Sequence, residues 1–90
     1  MNMNAREVVA WNVRRLRVDR GVSSEALATA ASLDRAYVGR IERGMANATV
    51  DVLERLASTL GIEIAALFAV PPSHAERPLP LPGGRPRRSD

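Results

Sequence analysis

All six prolines of this 90-residue chain lie after position 70, together with two glycines and four of the thirteen basic residues. Proline has no amide hydrogen and its ring clashes with the preceding helical turn, so a segment this rich in it neither joins a helix nor packs into a core. Residues 71–90 are therefore expected to be a flexible tail rich in proline and arginine, and folding is confined to residues 4–70. Such a length supports one small domain. No apolar run approaches the roughly 18 residues of a membrane helix, and residues 1–6 lack the basic-then-apolar layout of a secretory signal. A cytoplasmic protein with no membrane partner is expected.

Within residues 4–70 the apolar side chains recur with a helical period. Asn4 followed by Glu7 forms a capping-box pattern, and Val9, Val13 and Leu16 make one stripe before Gly21 stops the chain, which predicts a helix over about 5–19. Ser23 caps a short second helix with Leu27 and Ala28 turned inward. Asp34 caps a third with Val38 and Ile41 inward, and Gly44 ends it. Thr49 opens a fourth helix carrying Leu53, Leu56, Ala57 and Leu60 on one stripe up to Gly61. Ile62, Ile64, Leu67 and Phe68 predict a short fifth. No window alternates strictly, so the fold class is all-α, a compact five-helix domain.

Composition removes most enzyme chemistry. With no cysteine and one histidine, there is neither a thiol nucleophile nor a Cys/His metal set, and His74 stands in the proline-rich segment without a second ligand. No catalysis, metal or cofactor is expected. The large aliphatic residues are all committed to the core, which leaves no apolar pocket for a small-molecule substrate. All thirteen basic residues are arginine and the net charge is +3. Arginine offers a planar fork matched to phosphate and to guanine, so the balance points towards nucleic acid. The excess is thinly spread: residues 4–70 hold nine arginines against eight acids, and residues 71–90 hold four against two. Only placement within the domain can create a basic surface.

On the third helix, 100° per residue turns Val38, Ile41 and Glu42 to one side and Ala36, Gly39, Arg40 and Arg43 to the other. The outer face is thus small and basic. Small residues let a helix sink into a groove about 12 Å wide, where Arg40 and the flanking Arg35 offer paired donors to guanine. Glu42 turns inward and needs a charge partner there.

The segments Val13-Arg-Arg-Leu16-Arg17, Gly21-Val-Ser23-Ser-Glu25-Ala-Leu27-Ala28, Ala31-Ser-Leu33-Asp34, Tyr37-Val38-Gly-Arg40-Ile41-Glu42-Arg43-Gly44 and Leu60-Gly61-Ile62, followed by Leu67-Phe68, resemble the helix-turn-helix domain of phage repressors and Cro, the XRE family. The resemblance covers about two thirds of the chain, in order and without gaps. It implies that Arg35, Ala36 and Arg40 read bases and that Arg43, Asn47 and Thr49 lie near phosphate. It further implies phosphate contacts at the start of the second helix through the backbone of Ser24 and Glu25. Arg17 is implied as the partner of Glu42 and as a further phosphate contact. Two departures stand out. Serine occupies position 32, where the family usually has glycine in a left-handed turn, at a cost of about 1–2 kcal/mol. Ser24 replaces a common glutamine and reaches less far.

Val8, Trp11 and Val18 lie close together around the first helix, away from its main stripe, and form an apolar patch suited to a subunit contact. Ile64 and Leu67 are further candidates. The expected function is a sequence-specific, double-stranded-DNA-binding transcriptional regulator, a repressor or autoregulator, working as a homodimer on a palindrome and associated with the nucleoid. The rival reading is a protein-interaction module or antitoxin-like partner-binding protein of the same fold, docking through the segment Pro78-Leu-Pro-Leu-Pro82.

Overall fold

The structure, a computed structural model, describes residues 3–71. The expected tail, apart from Pro71, lies outside the described residues. Among the described residues four α-helices follow one another, α1 (Ala5–Asp19), α2 (Ser24–Ala30), α3 (Arg35–Glu42) and α4 (Val50–Leu60), and a 3₁₀ helix (Ile64–Phe68) comes last. Among the described residues there is no strand. No helix there is long and apolar enough to cross a membrane, and no cluster of His, Cys, Asp and Glu suits a metal ion.

Each α-helix starts where a short polar side chain accepts from an N–H that has no intrahelical partner. The acceptors are Asn4 for Glu7, Ser23 for Ala26, Asp34 for Tyr37 and Thr49 for Val52. Asn4 and Glu7 complete the reciprocal capping box, each bond 2.9 Å long.

The four helices also end alike. The last turn closes with a pair of backbone bonds around one left-handed residue, as in Val22 N–H to the Arg17 carbonyl and Gly21 N–H to the Val18 carbonyl. Gly44 in α3 and Gly61 in α4 sit at the same point, while α2 places Ser32 there at φ 59°. The residue just beyond is apolar each time. Val22, Leu33 and Ile62 fold back against the core, whereas Met45 stays exposed.

The core gathers Val9, Val13 and Leu16 of α1, Leu27 and Ala28 of α2, Val38 and Ile41 of α3, the stripe of α4, and Leu67. α1 lies against both α3 and the 3₁₀ helix, α2 against α3, and α4 against the 3₁₀ helix.

Two expectations are corrected. The fifth helix is a 3₁₀ turn of five residues that has no side-chain cap and excludes Ile62. The Ile62 N–H is already bonded to the Ala57 carbonyl, 2.9 Å away, in closing α4. What remains is too short to offset the cost of nucleating an α-helix, and the tighter turn suffices to drive Leu67 inward. The second correction concerns the apolar patch: Val8 and Leu67 are buried within the protomer and present no surface to a partner. The cause is Asn12, one turn beyond Val8 on the same face and wholly buried. The two hydrogens of its Nδ2 are shared among the carbonyls of Leu67 (3.0 Å), Ala69 (2.8 Å) and Val8 (3.0 Å), and so strap residues 67–69 across this face of α1.

Candidate nucleic-acid interface

The sharp turn between α2 and α3 depends on Ser32. Its left-handed backbone lets the Leu33 N–H reach back 2.8 Å to the Ala28 carbonyl, which reverses the chain in four residues before Asp34 caps α3. The Ser32 carbonyl accepts from Arg55 Nη1 of α4 at 3.3 Å. Leu33, immediately after the turn, packs against the core and fixes the angle at which α3 leaves.

α3 is then divided lengthwise. Val38, Ile41 and Glu42 are buried. Glu42 meets Arg17 in a two-pronged contact, with Arg17 Nε donating to Oε2 at 2.6 Å and Nη2 to Oε1 at 2.9 Å, both side chains about 5% exposed. The third nitrogen, Nη1, donates to the Val22 carbonyl at 2.9 Å, just ahead of the cap of α2. A guanidinium so enclosed offers no face to a phosphate. Of the two roles implied for Arg17, only the ion pair is compatible with the fold.

On the opposite side Arg35, Ala36, Arg40 and Arg43 are exposed. Each of the three arginines has a neighbour within the protein. Arg35 Nη1 lies 3.3 Å from Glu25 Oε1 of α2, both side chains more than two-thirds exposed. Arg40 lies over the ring of Tyr37, 5.4 Å from its centroid. Arg43 folds back along the helix so that its Nη1 stands 3.3 Å from where a Cβ on Gly39 would be, and Gly39 is thus the floor on which that guanidinium rests.

Asn47 is exposed in the loop between α3 and α4, and Thr49 is exposed at its end, with its Oγ1 occupied as the acceptor that caps α4. Ser24, half-buried, and Glu25, exposed, are the first two residues of α2. Their N–H groups precede any intrahelical acceptor. The fold therefore sets Arg35, Ala36, Arg40 and Arg43 along one exposed helix face. Of the expected subunit-contact residues, Trp11, Val18 and Ile64 remain half-buried, and Arg15 lies over the Trp11 ring at 5.2 Å.

Two residues went unremarked in the sequence. Tyr37 was legible in principle, because a residue three places before Arg40 shares its side of the helix. Asn12 was not, since its partners are main-chain carbonyls more than fifty residues away.

A short reversing turn between two helices, the second buried on one side and basic on the other, defines a helix-turn-helix protein. The family model described as helix-turn-helix matches residues 13–67, and the chain belongs to that family. It is 39% identical over 66 residues to a hypothetical transcription factor of Neisseria meningitidis serogroup B, a match covering 73% of this chain and 62% of that protein's length. With the control protein C.SmaI of Serratia marcescens it shares 37% identity over 66 residues, covering 73% and 79% of the two chains. Among solved structures, the restriction-modification controller protein C.AhdI of Aeromonas hydrophila superposes with a TM-score of 0.68 at 40% identity, over 70% of this chain and 96% of that one.

Proposed function

We propose that this protein is a sequence-specific transcriptional regulator that binds double-stranded DNA as a homodimer, each protomer laying α3 into the major groove of one half of a palindromic site. The observation that carries the reading is the division of α3 into a face locked by Arg17 and Glu42 and a face that presents Ala36 and three arginines to solvent. Arg35 and Arg40 supply paired donors for guanine, and Ala36 supplies a methyl suited to thymine. Arg43, Asn47, Thr49 and the N–H groups of Ser24 and Glu25 are assigned to the DNA backbone on either side of those base contacts.

One such helix spans only half a site, and the architecture gains affinity from two helices about 34–36 Å apart. Residues 4–70 form the binding domain, and residues 71–90 serve as its tail. The likeness to control and controller proteins supports a role as a repressor or autoregulator. Selection of bound duplexes from a random pool, followed by footprinting of the winners, tests the reading. The expected outcome is a two-fold symmetric motif with symmetric protection. Failure to enrich any sequence, or a one-to-one complex with an asymmetric footprint, overturns it.

A further inference from the structure

We infer that Glu25 is a specificity-determining residue, a carboxylate on α2 that aims the Arg35 guanidinium at its base and holds back binding to unrelated DNA. The inference rests on the DNA-binding reading above and deepens it.

A carboxylate is out of place here on charge alone. Glu25 stands in the first turn of α2, beside the N–H groups proposed to meet phosphate, where a negative side chain opposes the approach of any duplex. Its partner explains the arrangement. Arg35 is the first residue of α3, with about two-thirds of its side chain in solvent, and no packing confines its direction. A long, exposed arginine samples many rotamers, and ordering it at the moment of binding weakens its contribution to selectivity.

The approach recorded to Glu25 is that of Nη1, 3.3 Å from Oε1. It leaves the Nε–Nη2 edge open, which is the edge by which Arg17 grips the carboxylate of Glu42. One edge is thus tethered across the helix pair while the other keeps the paired donors that guanine O6 and N7 accept. Glu25 also neutralises the charge with which an untethered Arg35 would seek any nearby phosphate. General attraction falls and base preference rises.

A first-turn acid also suits the helix dipole, a role indifferent to Arg35. Coupled variants separate the two. Glu25→Gln, Arg35→Ala and the double variant are compared with the parent on three duplexes over a range of salt: the selected site, the same site with its guanines replaced one at a time, and a scrambled sequence. Glu25→Gln is expected to bind the scrambled duplex more tightly, with a salt slope steeper by about 0.9. It is also expected to lose about threefold of the discrimination at the guanine that Arg35→Ala identifies, out of the 5- to 150-fold that one bidentate contact supplies and within what an exposed ion pair can hold. In the Arg35→Ala background, Glu25→Gln should leave base preference unchanged.

Any drop in melting temperature caused by Glu25→Gln should be the same with Arg35 present or replaced, because it reports the helix dipole and an ion pair this exposed contributes little to stability. Undiminished discrimination in Glu25→Gln overturns the inference, as does the same loss with Arg35 absent. If the parent itself enriches no sequence, it is the DNA-binding reading that has failed.

Discussion

Arg17 and Glu42 are 25 positions apart in sequence, yet they meet with two parallel hydrogen bonds, of 2.6 and 2.9 Å, in a place that solvent hardly reaches. The pair fastens the last turn of α1 to the last turn of α3. A buried carboxylate and guanidinium in this geometry depend on each other: together they are compensated, and either alone is a stranded charge.

Removing one partner is therefore expected to be far more damaging than its size suggests. Glu42→Ala and Arg17→Ala should each destabilise the domain by about 3–5 kcal/mol, a large share of what a fold this small possesses. Glu42→Gln, which keeps one acceptor oxygen, should fall between them and the parent. Urea or thermal unfolding curves measure all three, and transitions that coincide with the parent's would show that the pair contributes nothing.

Ser32 offers the opposite sign. It is the one non-glycine residue with positive φ among the described residues, and its side chain is exposed. Ser32→Gly relieves the left-handed strain without removing a packed group, and should raise stability by about 1 kcal/mol. An unfolding midpoint that is unchanged or lowered would contradict this account of the turn.

Asn12 is buried without charge, and its amide serves three carbonyls. Asn12→Leu takes this donor from the Leu67 and Ala69 carbonyls and should cost about 1–3 kcal/mol. The loss should be concentrated where the chain leaves the 3₁₀ helix. Hydrogen exchange at residues 66–70 that rises before the rest of the domain is the expected signature. Uniform protection across the fold would argue against the strap.

For the basic face, Arg40→Ala should cost about 1–3 kcal/mol at a selected site and less on scrambled DNA. Tyr37→Leu removes the ring on which Arg40 rests and should reproduce part of that loss, about 0.5–1 kcal/mol, whereas Tyr37→Phe should retain most of the parent's preference. Competition binding against both duplexes measures the series, and equal losses on the two would sever Arg40 from base reading.

What was legible in the sequence was what is local. Asn4, Ser23, Asp34 and Thr49 announce helix starts because a cap acts within three residues, and Gly21, Gly44 and Gly61 announce stops for the same reason. The inward turn of Glu42 followed from phase, but its partner did not. Arg17 was reached only through resemblance, because nothing local links residues on two separate helices. The stretch from Ile62 to Phe68 misled because apolar residues two to four apart fit an α-turn and a 3₁₀ turn equally well, and the choice fell to the bond already made by the Ile62 N–H. Val8 misled because helical phase does not say which later segment will cover a face.

The third nitrogen of Arg17 has a wider consequence. By holding the Val22 carbonyl as well as Glu42, one side chain of α1 grips both the entrance to α2 and the far end of α3. The grip is applied wholly from behind and borrows nothing from the outward residues. Under the DNA-binding reading proposed above, such a domain works like a printing press with removable type: exchanging Arg35, Ala36 and Arg40 should spell a different site while the frame that presses them into place stays as it is.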